Sequence, residues 1–348
     1  MIQYILRRLL LLPLIMLVVT LILFLLMLQL PLEQRILIYM PAAKPNITPE
    51  ELAHLRQRVI AQRGLDKPFP LQYVNWLRNL LRGEWGYSPI WRQDVLRGIL
   101  QRAPATVELS LAAMIPSLLL ALFFGPLAAR YRRQAPDQII RSLASVGWAF
   151  PSFILALLLM NVFYAWLHWF PAERLSIWAE PIVEAESFRS YTGLYTMDAL
   201  LNGNLSLLAD ALRHLVLPGM TLAVAQWALL TRVLRVAMLE ALGQDYITTA
   251  RAKGLPEERV LNFHARRNAL LPLISTGGVA VSALISSVVL VELVFNFNGL
   301  GRSAVKAILA SDIPVAVGFA LFTCLITMLA SLVADILYAV ADPRIRLY

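Results

Sequence analysis

The chain has 348 residues, 59% of them apolar and only 15% charged, with a formal net charge of +9. Ordinary soluble domains hold roughly 45–50% apolar residues, so a membrane protein is the first reading, and the arginine excess is read as membrane topology, with no nucleic-acid partner expected. The single cysteine, Cys324, excludes an intramolecular disulfide, and the cysteine-spaced zinc signatures are absent.

Six uncharged runs follow in chain order, at 9–30, 109–129, 142–167, 215–231, 269–291 and 313–334. Each reaches or approaches the length that carries a helix across a hydrocarbon core of about 30 Å. The fourth is the shortest and borrows from its flanks. The prolines inside the runs, Pro13, Pro116, Pro151, Pro218 and Pro272, are expected to kink helices rather than open loops, because neighbouring helices can satisfy the freed carbonyls. Arg7 and Arg8 precede the first run as they would a signal peptide. That run is long, however, and no small-residue cleavage site follows before Pro31, so it is kept as a span.

Between the first two spans, Thr48, Pro49 and Glu51 form a capping box with proline at the first helical position. The spacing predicts a helix through Leu52, Leu55 and Val59 that stops before Gly64. A second is expected over 70–82, with Gly83 after it. Such a segment can be a small cap on the span ends or a docking surface for a partner. The expected fold class is all-α, a polytopic membrane helical bundle with six transmembrane helices and a small helical extracytoplasmic segment. Its expected parts are 1–30, 31–103 and a five-span core over 104–348, with a connecting loop at 240–268.

Short connections carry the orientation signal. Arg7 and Arg8, then Arg130, Arg132, Arg133 and Arg141, then Arg344 and Arg346 fall on one side. The 168–214 connection, with three arginines against six acids, falls on the other. Both termini are expected in the cytoplasm of a multi-pass cell-membrane protein. Segment 31–102 has eleven basic residues against six acidic ones, but long loops translocate largely regardless of charge.

The connection over 232–268 then lies inside, with seven basic and four acidic residues. It reads as a short helix through Thr248, Ala250 and Lys253, a stop at Gly254, and a restart at Pro256 with Glu257 and Glu258 in the new first turn. A helix, a glycine elbow and a second helix make a compact knuckle; the alternative is an ordinary solvated loop.

These residues resemble a known family. Asp245-Tyr246-Ile247-Thr248-Thr249-Ala250-Arg251-Ala252-Lys253-Gly254-Leu255, followed by His264-Ala265-Arg266-Arg267-Asn268-Ala269-Leu270-Leu271-Pro272, is similar to the cytoplasmic loop of the dipeptide and oligopeptide permeases of ATP-binding cassette importers, the first permease of the pair. Ile5-Leu6-Arg7-Arg8-Leu9-Leu10, Gly64-Leu65-Asp66-Lys67-Pro68, 102–109 (Arg102-Ala103-Pro104-Ala105-Thr106-Val107-Glu108-Leu109), 295–301 (Phe295-Asn296-Phe297-Asn298-Gly299-Leu300-Gly301) and Asp342-Pro343-Arg344 are similar to further family signatures. The resemblance implies that 245–268 seats in an ATPase subunit, with Asp245, Tyr246, Thr248, Thr249, Ala250, Arg251, Ala252, Lys253, Gly254, Leu255, Glu257, His264, Arg267 and Asn268 as the coupling residues. It also implies a second homologous permease subunit, two ATPase subunits on the cytoplasmic side that hold ATP and Mg, and an extracytoplasmic substrate-binding protein. Three departures stand out. Thr248-Thr249-Ala250 replaces the Glu-Ala-Ala of the wider superfamily, so an acidic contact would come from Asp245 or Glu257. Arg266 stands where leucine is common, and Pro31-Leu32-Glu33 stands in place of Gly-Asp-Pro.

The chain has no Gly-x-x-x-x-Gly-Lys, no His-Glu-x-x-His and no Gly-x-Ser-x-Gly, so neither cofactor, metal site nor catalytic residue is expected in it. Gly299-x-Gly301-x-x-Ala304 matches a dinucleotide fingerprint in letters, but no strand precedes it. A peptide crossing lipid needs polar partners, and Asn161, Gln226, Ser282, Ser286 and Glu292 are the candidates for the path; Thr276, Ser287, Thr323 and Thr327 are others. Each can equally bond helix to helix. The expected function is an importer permease working by alternating access. A self-sufficient secondary transporter or channel, and a polytopic membrane enzyme, are the competitors.

Overall fold

The computed structural model describes residues 2–40 and 48–341; the closing Asp342-Pro343-Arg344 and Arg346 lie outside the described residues. Helix α1 (Ile2–Leu28) leaves Leu10, Leu14 and Leu26 exposed, as suits a helix whose neighbour is lipid. After the short α2 (Leu32–Leu37) comes α3 (Pro49–Arg63). It starts where the capping box places it: Thr48 Oγ1 accepts from the Glu51 N–H at 3.3 Å, and Glu51 Oε2 accepts from the Thr48 N–H at 2.9 Å. Gly64, at φ +63°, ends it. Helix α4 (Phe69–Leu81) follows, then a two-stranded antiparallel hairpin of β1 (Tyr87–Ser88) and β2 (Gln93–Asp94).

Helix α5 (Val95–Arg130) begins well before the expected span. Its 36 residues measure about 54 Å at 1.5 Å each, longer than a core of about 30 Å, and the excess lies on its N-terminal side, before the uncharged run. Pro104, Pro116 and Pro126 lie inside it without ending it. The third span differs from expectation. Helix α6 (Ala135–Ala149) and α7 (Ser152–Leu159, extended as a π-turn to Trp166) meet at a bend of 100°. Pro151 breaks the run rather than kinking it, because proline pushes the preceding Phe150 into extended backbone, at ψ 122°. Short helices α8 (Glu180–Glu184) and α9 (Tyr195–Leu201) lead to α10 (Leu205–Leu242), opened by the Asn204 side chain, which accepts from the Leu207 N–H.

Helix α11 (Asp245–Ala252) and α12 (Glu257–Arg259) flank Gly254. A π-helical stretch (Val260–Ala265) joins α12 to α13 (Arg266–Val294) without a break. Helices α14 (Leu300–Leu309) and α15 (Ile313–Ala341) complete the described chain. Among the described residues five helical segments are long and apolar enough to cross a membrane, and the bent α6–α7 pair makes a sixth if its arms count as one span.

The chain divides into two compact units, one mainly Pro104–Arg302, the other Leu6–Ala103 with Ser303–Met328. In the second, Phe24 of α1 packs its ring 5.4–6.0 Å from those of Phe69, Tyr73 and Trp76 of α4. Ser88 donates to Asp312 Oδ2 at 2.6 Å, and Asp312 Oδ1 accepts from the Val315 N–H, capping α15.

In the first unit α10 is the central helix, packed against α6, α7, α9 and α13. Much of that packing is alanine: Ala121 and Ala129 of α5, Ala237 and Ala241 of α10, Ala269 and Ala280 of α13. Small side chains let backbones approach closely, which is how helices associate in lipid. Polar side chains fasten the helices to their neighbours. Arg235 of α10 donates twice to Asp137 of α6, at 2.6 and 2.8 Å. Glu108 of α5 accepts from Arg174 and from the N–H and hydroxyl of Thr196 at 2.7–2.9 Å.

Glu292, expected along the path, is fully buried. Its carboxylate accepts from Thr106 Oγ1 at 2.6 Å and from the Arg302 N–H at 2.8 Å, while Thr106 Oγ1 accepts from the Leu300 N–H. An acid here satisfies donors at the start of α14 that would otherwise be orphaned. The Gly299-x-Gly301 sequence therefore wraps a side chain of its own protein. A Cβ on Gly299 would collide with the Glu292 carboxylate.

Gly299→Ala is expected to destabilise the solubilised chain by about 1–3 kcal/mol through overpacking, read as a lowered melting temperature. A second expectation concerns Asp198 in α9. Burial pushes its carboxyl up, but hydrogen bonds from Thr192, Gly193 and Ser190 outweigh burial and hold it below the ordinary 3.8. The ionised form therefore favours the folded loop. Its contribution is present above 3.8 and is lost as pH falls through the depressed value. Limited pepsin digestion should find the 185–204 loop protected at the upper end of the enzyme's working range and cut at the lower. Asp198→Asn should flatten that dependence.

Candidate functional site

The knuckle is built from an apolar underside and a polar outer surface. In α11, Ile247 and Ala250 are buried while Asp245, Tyr246, Thr248, Thr249, Arg251 and Ala252 are exposed. Beyond the elbow Val260, Leu261 and Ala265 are buried, with Leu255 half-buried against them. All pack in one cluster with Leu230, Leu234, Ala237, Met238 and Ala241 of α10. Burying side chains such as Ile247, Val260 and Leu261 stabilises by roughly 1.5–3 kcal/mol each. That is enough to hold the knuckle as one body with the end of α10.

The elbow is set by Gly254, at φ +75° with open space around it. Lys253 closes α11, and Pro256 stands one place earlier than expected, as the extended N-cap of a helix that begins at Glu257. Across the elbow Arg251 donates to Glu257 twice, Nη2 to Oε1 at 2.6 Å and Nε to Oε2 at 3.0 Å. Both side chains are about half exposed, and exposed pairs contribute only about 0–1 kcal/mol. The fork fixes the angle between the arms more than it stabilises them. Of the two acids considered for a partner contact, Glu257 is thus engaged already, whereas Asp245 stands exposed in the first turn of α11.

Asn268 Nδ2 donates to Tyr246 Oη at 2.8 Å and ties α13 to α11. Arg267 is exposed, and His264 is half-buried, its ring edge-on to Phe263. Ala250 belongs to the underside rather than to the presented surface. Phe263 is the residue that the sequence reading missed, 60% exposed on the π-helical stretch. Its apolar character pointed inward; the wider π-turn, which buries Val260, Leu261 and Ala265, sends it out.

The five path candidates are not gathered into one cluster by hydrogen bonds among the described residues. Glu292 caps α14. Gln226 of α10 is buried too, with no partner for Oε1, and does not line an open face. Ser282 and Ser286 of α13 donate to the carbonyls of Gly278 and Ser282, at 3.3 and 3.4 Å. Ser286 remains exposed, as does Asn161 in the π-turn after α7. Ser286 shares an open face of α13 with Ser275, Val279, Ala283 and Leu290, three and four residues apart.

A family model described as the inner membrane component of binding-protein-dependent transport systems matches residues 111–347, and one for the N-terminal part of such components matches 1–110. A probable D,D-dipeptide transport system permease protein of Escherichia coli (strain K12) is 38% identical over 290 residues, 83% of this chain and 84% of that protein. A di/tripeptide transport system permease protein of Pseudomonas aeruginosa (strain UCBPP-PA14) is 38% identical over 284 residues, 81% and 82%. An oligopeptide transport system permease protein of Bacillus subtilis (strain 168) is 36% identical over 292 residues, 84% and 85%.

Because no side chain crowds Gly254, substitution there tests backbone conformation alone. Gly254→Ala should cost roughly 1–2 kcal/mol, and Gly254→Asn less, since asparagine tolerates the left-handed region. Melting of the two variants side by side checks the order.

Proposed function

The chain belongs to the family of inner-membrane components of binding-protein-dependent transport systems, and from that premise we propose that it imports peptides or similar small solutes by alternating access, coupled to ATPase subunits through residues 245–268. Both termini and the knuckle face the cytoplasm. A second homologous permease completes the path, two ATPase subunits hold ATP and Mg, and an extracytoplasmic binding protein delivers the solute. The relatives' names carry the substrate class, and the positions of basic residues carry the orientation.

One observation supports the coupling reading above others: the knuckle is clamped by its apolar underside to α10 and runs unbroken into α13. Helix α10 has 38 residues, about 57 Å at 1.5 Å each. A displacement applied to the exposed surface of α11 is therefore carried by a rigid lever into two membrane helices. ATP binding and hydrolysis in the partner subunits supply the energy. What this chain supplies is a body whose two positions make different contacts with its partners, as any coupled transition requires. The open face of α13, with Ser275, Ala283 and Ser286, is the surface offered to the second permease and the path. Small side chains there permit close approach, and hydroxyls give a passing amide a partner.

The test is co-purification of ATPase subunits with tagged chain from native membranes, intact and as Gly254→Pro. Proline holds φ near −65° and cannot take the elbow's +75°. The variant should insert normally yet lose the ATPase subunits and ATP-dependent uptake. An intact chain that brings down no ATPase under gentle extraction, or a proline variant that retains both, sinks the coupling role of this loop.

A further inference from the structure

The arginines around the α5–α6 turn do more than report topology. Arg132 and Arg133 follow the end of α5, Arg141 lies in α6, and Arg232 and Arg235 lie on α10; together they line a cavity of about 590 Å³. Asp137 hydrogen-bonds Arg235 twice and accepts from the N–H of Arg133, and its charge also reaches Arg141 without a hydrogen bond. Among the described residues no carboxylate pairs with the other four arginines. Thr231, 1% exposed, lines the same cavity, and its Oγ1 has no hydrogen-bond partner there. A buried hydroxyl without a partner is expensive to leave so, and four exposed guanidinium groups that no carboxylate hydrogen-bonds gather positive charge around it. Trp148, half exposed, stands with its ring 5.9 Å from the Arg232 guanidinium.

These features fit one kind of ligand. Guanidinium forks match phosphate oxygens in geometry and charge. Tryptophan beside arginine marks the headgroup level of a bilayer, and basic pockets between membrane helices on the cytoplasmic side take anionic headgroups. We propose that this cavity binds the phosphate of an anionic phospholipid from the leaflet on the knuckle side. The choice of leaflet rests on the orientation proposed above; the phosphate site itself does not. A lipid held there would brace α6 against α10 about three turns before the knuckle, at the root of the lever.

The experiment is native mass spectrometry of the full chain in mild detergent, titrated separately with phosphatidylglycerol, phosphatidylcholine and inorganic phosphate. Wild type should retain phosphatidylglycerol over phosphatidylcholine by roughly tenfold or more. Arg141→Gln/Arg232→Gln should lose that preference at an unchanged melting temperature in phosphatidylcholine, and Arg141→Lys/Arg232→Lys should recover part of it. Thr231→Val, which keeps every charge, should weaken retention more modestly. Equal retention of the two lipids overturns the proposal, as does a double glutamine variant that binds phosphatidylglycerol like wild type. Inorganic phosphate that displaces the lipid and binds as tightly alone assigns the cavity to a free anion and removes the lipid. If the glutamine variant loses ATPase subunits while its lipid binding is unaltered, the arginines serve a protein contact instead. Because binding is read on the isolated chain, it stands or falls separately from the knuckle's coupling role.

Discussion

In hydrocarbon there is no water for apolar side chains to escape, so helices gain little by burying leucine against leucine, and their association depends on how closely backbones can approach. The alanines between α5, α10 and α13 meet that constraint, and the rest of the first unit is arranged around them. Leucines point outward along α1, α5 and α15, where lipid is as good a neighbour as protein. Asp137 and Glu292 lie near helix ends and Glu108 inside α5, and each carboxylate collects several donors. The bundle is therefore tight at its seams and fastened by these carboxylates.

The knuckle follows the opposite rule, because on the proposed topology it lies beyond the hydrocarbon. There water is present, and burying Ile247, Val260 and Leu261 against α10 stabilises in the ordinary hydrophobic way. Its polar surface is left over once that underside is filled. One glycine sets the angle, one exposed ion pair holds it, and continuity with α13 passes any movement on. Two physical regimes thus meet along α10: close packing of small residues within the membrane, and apolar burial in water beyond it. The coupling proposed for this loop draws on both.

Several features were legible before any coordinates. Thr48 with Glu51 fixed the start of α3, and Gly64 its end, because capping and left-handed backbone are local matters decided within a few residues. Gly254 announced the elbow for the same reason. Five of the uncharged runs fall in helices long enough to span, since length and absence of charge suffice for a membrane helix, while the bend in the third was not legible. Less legible were α5 and α10, which extend past their uncharged cores; a helix with its ends in water tolerates the charge that bounds a hydropathy run.

Tertiary structure decided what depends on neighbours far along the chain. Pro13, Pro116, Pro218 and Pro272 stay within helices while Pro151 breaks one, although the same ring and the same missing donor are present each time, so the residue type by itself does not select the outcome. Glu292 could be read as an acid bonded nearby or as one at the mouth of a path, and the packed chain shows it as a buried cap, because Thr106, 186 residues away in sequence, and the start of α14 close around it. Phe263 faces out because a π-turn shifts the register. The arginines near α6 were visible as charge, but only the approach of α10 makes them walls of one cavity. Sequence by itself determined the lipid-facing lengths, the caps and the elbow, since each is settled by covalent neighbours and solvent. Which polar side chains are satisfied within the protein, and which are left to meet something else, required the packed chain, because a hydrogen bond needs both partners in place.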